Sequence, residues 1–181
     1  TNSGRIVVAT GDTIATNSEI ENSGIVEVTG TLNADLKNAT GSTATLNGGT
    51  ISKNVNNAGS MTGRGTISGS LTNSGKADIG GRTGAVSNSG TLSTSGNLNV
   101  TSLRNTGKGK VVIDEANQLT SGTEVDNQAE LHVYGKLNTS LKNTKTAITF
   151  LKGGTITGGV QNEGWIGGNG TIEGTVENLG T

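Results

Sequence analysis

The chain has 181 residues and a net charge of −1; 29% of its residues are hydrophobic, 2% are aromatic, and 31 are glycine. Without cysteine it can form neither a disulfide nor a zinc–thiolate site, and it lacks the basic excess and the aromatics that nucleic-acid binding uses. No apolar run approaches the roughly 20 residues of a membrane helix, and no signal peptide is visible. Such low hydrophobicity is typical of disorder, but disordered chains usually carry more net charge.

Asparagine recurs along the whole chain at a near-constant interval, and most copies are followed two residues later by glycine. The positions are Asn2, Asn22, Asn38, Asn57, Asn73, Asn88, Asn105, Asn127, Asn143, Asn162 and Asn178. The steps between them are 20, 16, 19, 16, 15, 17, 22, 16, 19 and 16 residues. A short fixed period indicates a repeat protein whose units bury their apolar faces only by stacking. A unit of this length, without helical periodicity, predicts one coil of a β-solenoid.

The coil that runs from Asn22 to Asn38 shows the predicted elements in order. Its apolar residues alternate with polar ones, first at Val26 and Val28 and then at Leu32 and Leu36, and a period of two is the strand signal. The coils at 127–143 and 162–178 repeat this pattern. The sequence therefore predicts an all-β, parallel β-solenoid of about ten coils of 15–22 residues.

Two residue types are expected at the corners of the coil. A glycine separates the apolar pairs at Gly30, Gly135 and Gly170, and we predict a positive φ there because only glycine adopts it freely. The recurring asparagine is predicted to close the coil in a left-handed conformation. Stacking of the coils would place the asparagines Asn22 to Asn178 in one column, with each side-chain amide bonded to its neighbours.

Two further columns follow from stacking the coils. The interior column is predicted to contain Leu32, Ile67, Leu98, Leu137, Ile156 and Ile172. The residues immediately before the asparagines form an exposed column, which would place Glu21 beside Lys37 and Asp126 between Arg104 and Lys142.

A larger repeat lies above the coil. Residues 22–75 align with residues 127–180 at a constant offset of 105, with 23 identities in 54 positions. We predict one elongated domain over residues 1–181, formed by one and a half copies of a module of about six coils. Both ends fall within the repeat, so a longer array is expected. The absence of proline suits such a chain, because proline removes a donor from the strand ladder.

Two stretches resemble the passenger repeats of type V secreted bacterial proteins, the filamentous-haemagglutinin-like adhesins and autotransporter passengers. They are Leu98-Asn99-Val100-Thr101-Ser102-Leu103-Arg104-Asn105-Thr106-Gly107 and Asn162-Glu163-Gly164-Trp165-Ile166-Gly167-Gly168-Asn169-Gly170-Thr171-Ile172-Glu173-Gly174. The resemblance extends over the chain as a class of repeat. It implies a right-handed parallel β-helix at the bacterial surface or outside the cell, in adhesion, aggregation or filament building. It implies no catalytic residue and no cofactor.

The residues that could carry chemistry are few. His132 is the only histidine and lies between Leu131 and Val133, so alternation points it outward without a second metal ligand. The equivalent outward positions of other coils hold Glu27, Thr62, Asp78, Ser93 and Gly167. A polysaccharide-cleaving β-helix requires paired acids, and the carboxylates here are scattered. We therefore predict no enzyme, and an enzyme of the tailspike or pectate-lyase kind is only the alternative to a structural or adhesive function. The adjacent acids Asp114 and Glu115 are the first place to look for a cation, although we predict no metal site.

Tyr134 and Trp165 form a possible contact patch. Both take outward positions in the second module, where the first has Thr29 and Ser60. They could bind a glycan, a host surface or a second subunit, and end-on or lateral self-association is the other expected interaction. An ice-binding solenoid is the third alternative and ranks last, because threonine pairs do not recur in every coil.

Overall fold

The computed structural model describes all residues 1–181. It consists of 22 strands with their connecting turns and has no helix. The strands are β1 (Arg5–Val8), β2 (Thr13–Ala15), β3 (Ile20–Asn22), β4 (Ile25–Val28), β5 (Thr31–Asn33), β6 (Leu36–Asn38), β7 (Thr43–Ile51), β8 (Val55–Asn57), β9 (Ser60–Ile67), β10 (Leu71–Asn73), β11 (Lys76–Asn88), β12 (Thr91–Asn105), β13 (Lys110–Ile113), β14 (Gln118–Ser121), β15 (Val125–Asn127), β16 (Glu130–Val133), β17 (Lys136–Asn138), β18 (Leu141–Asn143), β19 (Ile148–Ile156), β20 (Val160–Asn162), β21 (Trp165–Ile172) and β22 (Val176–Asn178). No helix long and apolar enough to cross a membrane occurs.

All strand pairings are parallel, and they form three ladders that run the length of the molecule. The first face contains β1, β4, β7, β9, β11, β12, β13, β16, β19 and β21. The second face contains β2, β5, β7, β9, β11, β12, β14, β17, β19 and β21. The third contains β3, β6, β8, β10, β11, β12, β15, β18, β20 and β22. The long strands bend around corners and so belong to more than one face. The predicted parallel β-solenoid of about ten coils is confirmed.

The core is one thin column enclosed by the three faces. It contains 31 buried hydrophobic side chains, and none of them is aromatic. In β4 the alternation works as expected, because Val26 and Val28 are buried while Glu27 between them points outward. The backbone contributes 127 hydrogen bonds. A solenoid can therefore fold with little apolar surface, because each coil satisfies the polar backbone of its neighbours.

The asparagine column is confirmed over its whole length. In each coil the Nδ2 of the asparagine donates to the Oδ1 of the asparagine in the next coil, at 2.6–2.9 Å, from Asn2 through to Asn178. The inner members, such as Asn73, have no exposed surface. The same Nδ2 also reaches backbone: that of Asn73 lies 2.9 Å from the carbonyl oxygen of Thr91 in the following coil and 3.3 Å from that of Gly75. Each amide thus joins two coils through both side chain and main chain.

The column before the asparagines also has the predicted register. Glu21 pairs with Lys37 across adjacent strands, and their side chains form an ion pair of 3.0 Å. The ammonium of Lys37 lowers the pKa of Glu21 by hydrogen bonding and by charge. Arg104 and Asp126 form a second ion pair of 3.2 Å. Exposed pairs of this kind contribute little stability, so their effect is on register.

The predicted positive φ at the corner glycines Gly30, Gly135 and Gly170 was wrong, and so was the left-handed conformation predicted for the asparagines. Positive φ occurs at other glycines, such as Gly48 and Gly153, and at no residue of another type, so neither Gly135 nor the asparagines are left-handed. Gly135 is required by close approach: a Cβ there would lie 2.2 Å from the carbonyl oxygen of Asp114 and 2.3 Å from that of Asn117. At this corner the preceding coil therefore leaves no room for a side chain.

The predicted interior column is buried but is not one ladder. Leu32 and Ile67 belong to a ladder that continues through Thr83 and Val100. A second ladder, in register two residues earlier, contains Leu98, Leu119, Leu137, Ile156 and Ile172. Both pass through β12, which carries Leu98 and Val100 on the same wall. The inner ladder therefore changes in the coil between the two modules, and only Ile172, in the last coil, is incompletely buried.

Replacement of Leu137 by alanine tests the core. Leu137 has no exposed surface, and we expect the variant to lose about 2–5 kcal/mol of unfolding free energy because the cavity cannot collapse fully. The measurement is urea denaturation followed by circular dichroism. The exposed Lys142→Ala should change stability by less than about 0.5 kcal/mol. Equal losses in the two variants would contradict the assignment of Leu137 to the core.

Replacement of Asn73 by alanine tests the asparagine ladder. The variant leaves the Oδ1 of Asn88 without its only donor, and the carbonyl oxygen of Thr91 loses a donor as well. We expect a loss of about 1–3 kcal/mol for each buried group left unpaired. Asn178 only accepts from Asn162 and is exposed, so Asn178→Ala is the matched control in the same denaturation experiment. A loss at position 73 no larger than that at position 178 would contradict a stabilising ladder.

Candidate functional site

Every aromatic side chain of the protein lies outside the core, in one cluster on the first face. The chain has one tryptophan, one tyrosine, one phenylalanine and one histidine. The ring centroids of Phe150 and Trp165 are 5.0 Å apart, those of His132 and Phe150 are 4.8 Å apart, and those of His132 and Tyr134 are 6.3 Å apart. We call these four residues the aromatic cluster. It connects the two residues that the sequence placed in a contact patch, Tyr134 and Trp165.

The strand register of three successive coils positions these rings. His132 in β16 pairs with Phe150 in β19, so the two outward side chains lie one above the other. Trp165 begins β21 in the following coil and pairs with Ile148, and 37% of its surface is exposed. The side chains of adjacent parallel strands are about 4.8 Å apart, which is within the range of edge-to-face and tilted ring contacts. The cluster thus runs obliquely across the outer surface of the last three coils.

Lys152 completes the cluster with a positive charge. Its Nζ donates to the hydroxyl oxygen of Tyr134 at 3.1 Å and lies 5.3 Å from the centroid of the Tyr134 ring and 5.4 Å from that of Phe150. Both distances are within the range of cation–π attraction. None of the ion pairs in the structure involves Lys152, so its ammonium group is not directly paired with a carboxylate.

His132 is the residue at which the structure departs most from the prediction. It does occupy the outward ladder, between Val112 and Phe150, but it is only 7% exposed because the side chains around it cover it. Burial lowers the pKa of His132, and the positive charges of Lys110 and Lys152 act in the same direction against an opposing contribution from Glu130. Glu130 contacts His132 and forms an ion pair of 2.9 Å with Lys110. The neutral imidazole serves as a packed ring of the cluster.

Beside the cluster lies a groove of about 360 Å³, at the corner between the first and second faces. Tyr134 and Lys152 line one part, the loop after β13 contributes Glu115, and Gln118 stands at the start of β14. Lys136 at the start of β17 also lines it, and Gly135, Gly153 and Gly154 supply backbone without side chains. The groove is thus polar, open and floored by main chain, with a single aromatic wall.

The carboxylates of the first face bear on the enzyme alternative. Burial raises the pKa of Asp114, and the charge of Asp78, two coils away, adds to the effect. The sequence analysis had grouped Asp114 with Glu115 and had placed Asp78 separately, among the scattered outward positions. Glu27 is instead neutralised by Arg5 at 2.7 Å. Asp114 and Asp78 are therefore the pair on which an acid–base reaction would depend, and no group of three or more His, Asp or Glu side chains suitable for a metal ion occurs.

The ice-binding alternative rested on regular threonines, and the second face has a partial array. Thr13, Thr31, Thr50 and Thr66 stack in successive coils, but Arg82 follows them. The neighbouring outward column begins with Ala15 and Asn33. The array is one threonine wide and four coils long, without the paired threonines that this alternative required.

No protein family, curated protein or solved structure matches this chain. The fold and the geometry of the first face are therefore the observations from which its function is argued.

Sequence reasoning identified Tyr134 and Trp165 but missed the contacts that join them. The sequence analysis placed neither Phe150 nor Lys152 in the patch. A signal for both was present, because the module offset of 105 pairs Phe150 with Thr45 and Lys152 with Asn47. Five outward positions, those of Tyr134, Trp165, Phe150, Lys152 and His132, thus change together from small or polar residues to one cluster.

The burial of His132 makes the stability of the second module pH-dependent. Because the folded-state pKa lies below the unfolded value of about 6.5, the unfolded chain binds the proton more readily. The contribution is fully present above about pH 6.5 and is lost as the pH falls towards the folded-state pKa. In urea denaturation between about pH 7.5 and about pH 5.5, the wild type should lose more stability than His132→Gln. An identical pH dependence in both would contradict the burial of a neutral imidazole.

Proposed function

We propose that this β-solenoid is a structural and adhesive segment of an extracellular or bacterial cell-surface protein, which acts in display, adhesion or self-association through its first face. The observation that carries the proposal is the aromatic cluster, which lies wholly outside the core. Buried Leu, Ile and Val fill the interior, so the rings are not needed there. Aromatic residues are enriched where proteins bind partners, because they contribute large contact areas at low entropic cost.

The solenoid supports this role mechanically. Ten coil spacings of about 4.8 Å give a rod of about 48 Å, and the continuous asparagine ladder holds every coil in register. A patch on such a rod keeps a fixed distance and orientation relative to any other patch along the axis. The resemblance to type V passenger repeats supports an extracellular or surface location and a role in adhesion or filament building, without a cofactor.

The polysaccharide-cleaving alternative rests on Asp114 and Asp78. A carboxylic acid with a raised pKa near a second carboxylate is the arrangement expected of a general acid. The two residues, however, belong to coils separated by a third. We therefore rank this alternative second.

Adsorption to surfaces coated with neutral and acidic polysaccharides tests the proposal, together with the dependence of particle size on concentration in sedimentation. The wild type should adsorb or self-associate. The variant Phe150→Thr/Trp165→Ser should lose this behaviour, because it restores at each position a residue of the first module, Thr45 or Ser60. Ile25 is an exposed hydrophobic residue outside the cluster, with 41% of its surface exposed, and Ile25→Glu is the control that should behave as wild type.

Two results would count against this function. A protein that neither adsorbs nor associates would have no adhesive role. Release of reducing or unsaturated sugar ends, abolished by Asp114→Asn and by Asp78→Asn, would instead establish the enzyme alternative.

A further inference from the structure

We propose that the groove beside Tyr134 and Lys152 is a binding site for an acidic saccharide, in which these two residues hold the carboxylate or sulfate group of the sugar. The inference rests on the proposed adhesive function and names the chemical class of the ligand. Nothing in the adhesive proposal itself requires this groove or an anionic ligand.

The anion site is a pair of hydrogen-bond donors. The hydroxyl oxygen of Tyr134 accepts one hydrogen from the Lys152 ammonium at 3.1 Å, which leaves the phenolic O–H and the other ammonium hydrogens free to donate. The two donor atoms therefore lie side by side and can both reach one oxyanion. The rings of Tyr134 and Phe150 hold the ammonium in place. Charge-assisted hydrogen bonds from such a pair are roughly twice as strong as neutral ones.

The charges around the groove orient a ligand. Lys136 and Lys152 line it, and neither takes part in any ion pair. The carboxylate of Glu115, which extends from the loop after β13, is the only acidic group in the lining. An anionic substituent is therefore attracted towards the lysines, while Glu115 can accept hydrogen bonds from hydroxyl groups.

The shape and chemistry of the lining favour a saccharide over a peptide. The volume of about 360 Å³ is at the lower end of the range of about 300–1,000 Å³ for ligand sites. Peptides that bind β-proteins often add a strand to a free sheet edge, but β17 is already paired with both β14 and β19. The backbone floor and the exposed Gln118 side chain offer polar partners for sugar hydroxyls, and hydrophobic lining is confined to Ala116 and Tyr134.

The first module provides an internal comparison. Its equivalent corner has Thr29 for Tyr134, Thr31 for Lys136 and Asn47 for Lys152, and the glycines Gly48 and Gly49 are retained. None of the five grooves of the structure is lined by these three residues. The same backbone corner thus exists in the protein both with and without the proposed anion site.

The test measures binding of defined oligosaccharides to the whole chain by isothermal titration calorimetry. The probes are an oligogalacturonate, a sulfated dextran oligosaccharide, neutral dextran, inorganic sulfate and a short poly-glutamate peptide. We expect binding of one or both acidic saccharides, weakened by added salt, and at least about tenfold weaker binding by the others, since a charge-assisted hydrogen bond contributes about 1.5–3 kcal/mol.

The variants take their residues from the first module, so the fold should accept them. Tyr134→Thr, Lys136→Thr and Lys152→Asn are made singly and together, and circular dichroism confirms the fold. We expect Lys152→Asn to weaken binding of the acidic saccharide about tenfold, and the triple variant to abolish it. Lys145→Asn removes an exposed lysine from another corner of the coil that contains Lys152 and should bind as wild type.

Each other outcome overturns the inference. Binding of neutral and acidic saccharides with equal affinity, insensitive to Lys152→Asn, would remove the anion site; adhesion that depends on Phe150 and Trp165 could still stand. Equal loss in Lys145→Asn would show attraction to overall charge only. Tighter binding of the peptide or of sulfate alone would assign another ligand, and absence of saccharide binding would reject the site.

Discussion

The stacked asparagine amides are the interaction on which the rest of this structure depends. Each amide from Asn2 to Asn162 donates to the side chain of the next asparagine and to a main-chain carbonyl oxygen of the next coil, as Asn73 does to Asn88 and Thr91. A coil displaced by one residue would leave these buried groups unpaired, at about 1–3 kcal/mol each. The ladder therefore fixes the register of all three faces. Once the register is fixed, a thin aliphatic core suffices, and the outer surface is free to vary in sequence.

Most of the architecture could be predicted from the sequence because the period, the alternation and the asparagine positions are all local patterns. The predicted partners Glu21 and Lys37 are paired for the same reason. The errors concern how closely neighbouring coils approach and how a long strand crosses a corner, which the spacing of residues along the chain does not record. At Gly135 the deciding factor is the approach of the preceding coil, and the change of inner ladder at Leu98 and Val100 depends on how the long strand β12 crosses a corner.

The candidate site was predicted in part, for a related reason. Comparison of the two modules identified Tyr134 and Trp165 because their counterparts are a threonine and a serine. It could not show that a lysine one coil further on bonds to the tyrosine hydroxyl, since that contact depends on which residues stack across coils. The burial of His132 was missed because alternation gives the direction of a side chain. It does not show whether the large rings of the adjacent coils cover that side chain.

The asparagine ladder also makes the rod directional. Every amide from Asn2 to Asn162 donates to the asparagine of the coil on its C-terminal side, so ten hydrogen-bonded dipoles point the same way along the axis. Parallel strands already give the backbone one sense, and aligned side-chain amides polarise one another in addition. The two ends of any stretch of this solenoid therefore differ chemically. A further coil continues this one-directional ladder only when its own chain runs in the same direction.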